Sequence, residues 1–135
     1  MDGLFKLEIK SAEGILFEDD VFFTRINTSS GDMGIYNGHT FTISDVLEGV
    51  LEYYVDEEVS KLLYISEGIV VVKPDHVLLT VDYIKKPADF DVKDLKNSIK
   101  ESNKTYKDST DYDKKMVALK TFNSSENKLR VAISS

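Results

Sequence analysis

Few residues of this sequence could do bond chemistry. It has two histidines, His39 and His76, and no cysteine. Neither a disulfide framework nor a thiolate metal site can form without cysteine. Asp32 and His39 lie near each other in sequence, but a metal centre needs more clustered ligands than these two. Serines are plentiful, yet none sits in the Gly-x-Ser-x-Gly turn that presents a nucleophile. Gly31-Asp32-Met33-Gly34 is not followed by Lys-Ser or Lys-Thr, so it lacks the signature of a phosphate-cradling loop. The Asp32 carboxylate would also repel a phosphate. A carboxylate pair for glycoside hydrolysis could be drawn from 24 acidic residues, with nothing to select one. The inventory predicts no catalytic residue, no metal and no cofactor.

The segment Gly31-Asp32-Met33-Gly34-Ile35-Tyr36-Asn37-Gly38-His39 carries more information. Three glycines within eight positions predict a sharply folded loop, because glycine takes positive φ at little steric cost. Ile35 and Tyr36 put apolar groups on it, and Asp32 and His39 supply polar tips. The plain structural reading is a tight corner with His39 satisfied by a backbone carbonyl. The functional reading is an exposed contact element.

The surrounding elements read as strands. Phe5, Leu7 and Ile9 alternate with Lys6, Glu8 and Lys10, the pattern of a half-buried strand, and Ile15 and Phe17 continue it after Glu13-Gly14. Val21, Phe23 and Arg25 share one face and Phe22, Thr24 and Ile26 the other, which predicts cover on both faces. Thr28-Ser29-Ser30-Gly31-Asp32 is turn chemistry. Further strands are predicted near 40–43, 50–55, 61–65, 69–72 and 77–81, with Asp56-Glu57-Glu58 as an acidic hairpin loop. No long helical pattern interrupts them, so a sandwich or barrel is expected and a parallel α/β sheet is not.

The pattern changes after Lys85-Lys86-Pro87. Val92, Leu95, Ile99 and Tyr106 form the seam of an amphipathic helix, which Asp89 or Asp91 could cap. Asp108-Ser109-Thr110-Asp111 is a polar break. Tyr112, Met116, Leu119, Phe122, Leu129 and Ile133 form a second seam, with Val117 beside it. Asn123-Ser124-Ser125 are poor helix formers and predict a kink, a frayed stretch or an early end. The expected organisation is an all-β domain over 1–87 and an antiparallel helical hairpin over 88–135. A pair with such narrow stripes buries little surface, so its local stability should be low.

Charge follows the same division. Residues 1–90 hold 7 Lys/Arg against 17 Asp/Glu, a balance of −10, and residues 91–135 hold 10 against 7, a balance of +3. The acidic part argues against nucleic-acid binding. The basic part could meet an acidic protein surface, or its lysines could simply form a wet helix face. Met1-Asp2-Gly3-Leu4 has no basic start or apolar run, and Ile69-Val70-Val71-Val72 is too short to span a bilayer. A soluble cytoplasmic protein without membrane insertion is the expectation.

Together these landmarks resemble the epsilon subunit family of the F-type ATP synthase. The family's Gly-Asp/Glu-x-Gly-Ile-x-Pro-Gly-His pattern is matched by residues 31–39 except at Asn37. Phe5-Lys6-Leu7-Glu8-Ile9, Ser11-Ala12-Glu13-Gly14, Gly49 after Leu47, Ile65-Ser66-Glu67-Gly68, Pro74-Asp75-His76-Val77 and Asn127-Lys128-Leu129-Arg130-Val131-Ala132 follow in family order. The resemblance covers nearly the whole chain.

It implies a ten-stranded sandwich and a C-terminal helical hairpin. It implies a non-catalytic subunit in the central stalk of a proton- or sodium-translocating enzyme, peripheral on the cytoplasmic face of the cell membrane. Such a subunit holds the gamma subunit, bears on the rotor ring of c subunits and transmits torque. Asp32, Ile35 and His39 match ring-contact positions, and Ser11 matches a position near gamma. The family's hairpin can fold down or extend toward the catalytic beta subunits and block rotation, where its lysines could meet an acidic loop.

There are departures from the family. Some members bind ATP through Ile/Leu-Asp-x-x-Arg-Ala; here the stretch is Phe90-Asp91-Val92-Lys93-Asp94-Leu95, with Asp94 in place of the arginine. Ser124 and Lys128 stand where arginines are frequent in the last helix. Weak or no ATP binding is expected. Asn37 and Phe41 replace prolines, which makes the corner less rigid. The competing readings are a nucleotide-sensing module and a small β-sandwich enzyme or ligand binder, which would need a concave pocket with convergent polar groups.

Overall fold

The computed structural model describes residues 3–134. Met1 and Asp2, on which the reading of the N-terminus partly rests, lie outside the described residues. Among those described there are ten strands: β1 (Phe5–Ser11), β2 (Gly14–Val21), β3 (Phe23–Thr28), β4 (Gly31–Tyr36), β5 (Thr42–Val46), β6 (Gly49–Tyr54), β7 (Ser60–Ile65), β8 (Gly68–Lys73), β9 (His76–Val81) and β10 (Ile84–Lys85). A 3₁₀ turn (Pro87–Asp89) and helices α1 (Val92–Asp108) and α2 (Tyr112–Ala132) follow. The chain divides into two compact units, residues 1–85 and 86–135.

The first unit is a sandwich of two five-stranded sheets, ordered β2-β1-β9-β8-β5 and β10-β7-β6-β3-β4. All neighbours pair antiparallel except β1 and β9, which run parallel. The core lies between the sheets. Leu7, Ile9, Val70, Val72 and Leu79 of one sheet meet Ile26, Ile35, Leu51 and Ile65 of the other, all fully buried or nearly so. Each such side chain contributes about 1.5–3 kcal/mol by leaving water.

Three local expectations change in the folded sandwich. Ile15 does not share a face with Phe17. Ile9 pairs with Phe17 but Lys10 pairs with Ile15, so Leu16 is the extra residue of a β-bulge. A bulge shifts the alternation by one, and Ile15 is left outside, 61% exposed. The segment 21–26 is covered on both faces, as expected, but it is not one strand. Val21 ends β2 in the first sheet and Phe23 opens β3 in the second, with Phe22 between them. The Phe22 N–H donates to Tyr54 O at 2.7 Å.

The glycine-rich segment is also mostly strand. Gly31 to Tyr36 pair residue by residue with β3, from Thr28↔Gly31 to Phe23↔Tyr36, and make β4 the outer strand of its sheet. Gly31 (φ +114°) and Gly38 (φ +86°) do need glycine's backbone freedom. Gly34 has a different reason to lack a side chain: a Cβ there would stand 3.0 Å from the Phe23 ring.

In the second unit Asp91 caps α1, its carboxylate accepting from the N–H groups of Lys93 (3.0 Å) and Asp94 (3.2 Å). Asp89 instead closes the 3₁₀ turn by accepting from Lys86 N–H at 2.8 Å. Asp111 caps α2 through Asp113 and Lys114 N–H. α2 is continuous through Asn123-Ser124-Ser125, contrary to the expected break. The seam explains why. The buried residues of α2 are Ala118, Ser125, Val131 and Ala132, while Tyr112, Val117 and Ile133 are exposed. Ser125 is small enough to let α1 approach, and its hydroxyl lies 2.9 Å from that of Ser98. A helix donor and acceptor that satisfy each other across the pair offset the low helix propensity.

Candidate docking surfaces

Among the described residues, no group of three or more His, Cys, Asp or Glu is placed to hold a metal ion. His39 Nδ1 lies 2.7 Å from its neighbour's carbonyl, Thr40 O, which is the plain structural reading of that histidine. His76 Nε2 is buried without a hydrogen-bond partner, 3.9 Å from Glu8.

Asp32, Ile35 and His39 are spread along an edge. The six residues of β4 span about 17 Å, with Asp32 near one end and His39 beyond the other. Asp32 is exposed and paired with Asn27. The turn beside it is held firmly: Thr28 Oγ1 donates to Gly31 O at 2.8 Å, and the Asp45 carboxylate accepts from the Ser29 N–H (3.1 Å) and hydroxyl (2.9 Å). Those Ser29 bonds, the hydroxyl above all, hold the Asp45 carboxyl below its ordinary range. His39 sits at the other end, where Gly38 N–H donates to Pro74 O at 2.7 Å. Ile35 is 1% exposed and belongs to the core, so the expected contact role for its side chain is corrected: it anchors the strand from beneath. A partner touching both Asp32 and His39 must lie along the strand rather than on a loop tip.

A second surface is the outer face of the β1-containing sheet. Register puts Ile43, Val71, Leu78 and Glu8 in one cross-strand row, and Ile69, Thr80, Lys10 and Ile15 in the next. Ile43 and Ile69 are 63% and 55% exposed and adjoin Val71 and Leu78, while Ile15, turned to this face by the bulge, stands apart from them beyond Thr80 and Lys10. Contiguous apolar groups on a sheet face mark a docking surface. Ser11 adjoins it. Its hydroxyl accepts from Glu13 N–H at 3.1 Å to close the β1–β2 turn, and with Ile69 and Thr80 it lines a shallow depression of about 510 Å³. The sequence reading missed this face. The signal available was Ile69-Val70-Val71-Val72, which is apolar on both sides of a strand.

The other end of the sandwich is fastened by a polar clasp. Glu48 accepts from the hydroxyls of Tyr64 (2.6 Å) and Tyr83 (3.0 Å). Burial first, and then the Glu48 carboxylate, raise the Tyr83 phenol above its ordinary value. Buried Ser66 accepts from the N–H groups of Asp82 (2.8 Å) and Tyr83 (3.1 Å), tying the β9–β10 link to β7.

The hairpin has a groove of about 480 Å³ between its helices, lined by Ser98, Ser102, Thr105, Val117, Ala118 and Thr121 among others. No arginine lines it. Asp91, the residue matching the nucleotide motif, is committed to capping α1, and Asp94 adds a second carboxylate to the same turn. No described helix is long and apolar enough to cross a membrane.

Comparison with known proteins agrees with this architecture. Residues 4–87 match the family model described as the ATP synthase, Delta/Epsilon chain, beta-sandwich domain. The ATP synthase epsilon chain of Persephonella marina is 30% identical over 99 residues, 73% of each chain. That of Francisella philomiragia is 35% identical over 81 residues, 60% of this chain and 55% of that one. A chain in the cryo-EM structure of the Euglena gracilis mitochondrial ATP synthase OSCP/F1/c-ring superposes with a TM-score of 0.75 at 19% identity, covering 94% of this chain and 80% of that chain. A chain in the Tetrahymena thermophila mitochondrial ATP synthase central stalk/c-ring gives 0.52 at 14% identity, covering 95% and 92%. At such low identities the two structures speak to the fold alone. With the sandwich matched from strand to strand and a curated relative at 30% identity, the chain belongs to the ATP synthase delta/epsilon family as a non-catalytic, epsilon-type subunit.

Proposed function

We propose that this subunit works in the central stalk of a proton- or sodium-translocating F-type ATP synthase, where it couples the gamma subunit to the rotor ring. The observation that carries the reading is the apolar outer face built by Ile43, Val71 and Ile69, with Ile43 and Ile69 more than half exposed. Gamma docks on that face, next to Ser11. The ring bears on the β4 edge through Asp32 and His39, with Ile35 bracing the strand from the core. The hydrogen bonds of Ser29 and Thr28 stiffen the Asp32 end, which suits an element that must not yield under torque. The subunit works as a peripheral component at the cytoplasmic face of the membrane, with residues 1–87 and 88–135 as separate working domains.

The hairpin regulates. It extends toward the catalytic beta subunits and inhibits ATP hydrolysis, and its small-residue interface supports a unit of low local stability. A nucleotide-sensing role is disfavoured by a groove lined by no arginine and by the engagement of Asp91 as the α1 cap.

Co-purification tests the assignment. Ile43→Ser with Ile69→Ser should abolish recovery with gamma, whereas Asp32→Lys should spare gamma and weaken the ring contact. Full gamma recovery by the double variant would overturn the placement. Truncation after Asp89 should raise ATP hydrolysis by the assembled enzyme, and an unchanged rate would refute inhibition. Calorimetric titration should show no micromolar ATP affinity.

A further inference from the structure

Lys93, Lys96, Lys100, Lys104 and Lys107 fall within about 80° of arc on α1, at 100° per residue, and extend along about 21 Å of its axis. All five are exposed. Among the described residues, none of the five takes part in an ion pair or hydrogen bond through its side chain. The helix's own acids, Asp94, Glu101 and Asp108, lie on the adjoining flank; Glu101 and Asp108 stand at i,i+3 and i,i+4 from Lys104, and the other four lysines have no acid of α1 at those spacings. Within the stripe, Lys96–Lys100 and Lys100–Lys104 are i,i+4 neighbours, and Lys93–Lys96 and Lys104–Lys107 are i,i+3 neighbours. Like charges at these spacings oppose helix formation. The stripe therefore weakens α1 in isolation, and an anionic partner would relieve the repulsion.

The opposite face of α1, with Ser98 and Ser102, packs on α2, so the stripe points away from the hairpin's own seam. It contains no aromatic, arginine or aliphatic anchor. Specific protein interfaces are depleted in lysine and organised around such anchors. A lipid headgroup layer needs neither anchors nor fixed geometry, and a row of mobile ammonium groups suits it. From this chemistry we propose that the α1 lysine stripe adheres electrostatically to a bilayer surface rich in anionic phospholipid, with no insertion of side chains. This is independent of the stalk reading, because it needs no other subunit.

The test is sedimentation of the full chain with sucrose-loaded vesicles of phosphatidylcholine, with and without 30 mol % phosphatidylglycerol, at low and high salt. The chain should sediment with the anionic vesicles at low salt, stay in solution with the neutral ones, and be released at high salt. Each lysine near an anionic surface contributes roughly a fivefold factor in partitioning, so Lys96→Gln/Lys100→Gln/Lys104→Gln should lower it by tenfold or more. The control Lys114→Gln/Lys115→Gln/Lys120→Gln removes the same charge from scattered positions on α2 and should change it less than threefold. Circular dichroism should report equal or higher helix content in the stripe variant, separating lost adhesion from lost structure. No binding to anionic vesicles at low salt, or equal losses in both variants, would overturn the proposal. So would capture of the chain by soluble polyglutamate without vesicle binding, which would reassign the stripe to an acidic polypeptide.

Discussion

The sandwich and the hairpin hold together with different materials. Across the sandwich, Leu7, Ile9, Leu51, Ile65 and Leu79 interlock, and every one is 1% exposed or less. In the hairpin, the buried side chains are Ser102, Ala118, Ser125, Val131 and Ala132, four of them small, and Ser98 meets Ser125, while Tyr112, Val117 and Ile133 remain in water. Large side chains bury more apolar area per residue and fix register strongly. Small ones bring helix axes close but remove little surface from water. Most of the buried apolar surface therefore lies in the sandwich.

The largest effect should come from crowding the stiff region. A Cβ at Gly68 would stand 1.9 Å from Thr80 O, a backbone atom that cannot move without breaking the β8–β9 pairing. Gly68→Ala should cost about 3 kcal/mol or more, or prevent folding, as read by chemical denaturation. Leu79→Ala, which opens a cavity at a fully buried site, should cost about 3 kcal/mol. Its counterpart in the hairpin, Val117→Ser, should stay within about 0.5 kcal/mol, because Val117 is 66% exposed. A comparable loss at both positions would erase the contrast between the regions.

The hairpin interface should be vulnerable to added bulk instead. Ser125→Leu should force the helices apart and cost about 1–3 kcal/mol of local stability, visible as faster hydrogen exchange in α1 and α2 with the sandwich amides unchanged. Asp111→Ala should cost about 1 kcal/mol of α2 stability, read by helix content, since two N–H groups lose their acceptor.

The smallest effect concerns pH and belongs to the sandwich. The Asp45 carboxyl lies below its ordinary value of 3.8 because Ser29 bonds stabilise its charged form. A group depressed in the folded state contributes stability that is present above its unfolded pKa and lost as pH falls through the folded one. Asp45→Asn should therefore flatten the acid limb of the stability profile below about pH 4, leaving the profile near neutrality shallow as before. An unchanged acid limb would show that the Ser29 bonds carry no linkage.

Where the sequence could be read, the signal was local. The period-2 alternation of Phe5, Leu7 and Ile9 and the aspartates at 91 and 111 depend only on near neighbours, and the strands and helices form where those signals lie. Misreadings came from long-range causes. Gly31 to Tyr36 looked like a folded loop, because three glycines speak for turns. Pairing with β3, and the Phe23 ring occupying the space over Gly34, made it a strand. Asn123-Ser124-Ser125 looked like a break until Ser98 on another helix supplied the partner.

The sequence by itself determined the order of elements, the division between sheet and helix, the absence of thiol chemistry and the segregation of charge, since composition and spacing are properties of the chain alone. Only the tertiary structure decided which apolar residues face out. The bulge at Leu16 turned Ile15 outward, cross-strand register aligned Ile43 and Ile69 on one face, and the second sheet drew Ile35 into the core. Burial is a relation between segments distant in sequence, and no local pattern encodes which partner will cover a given face.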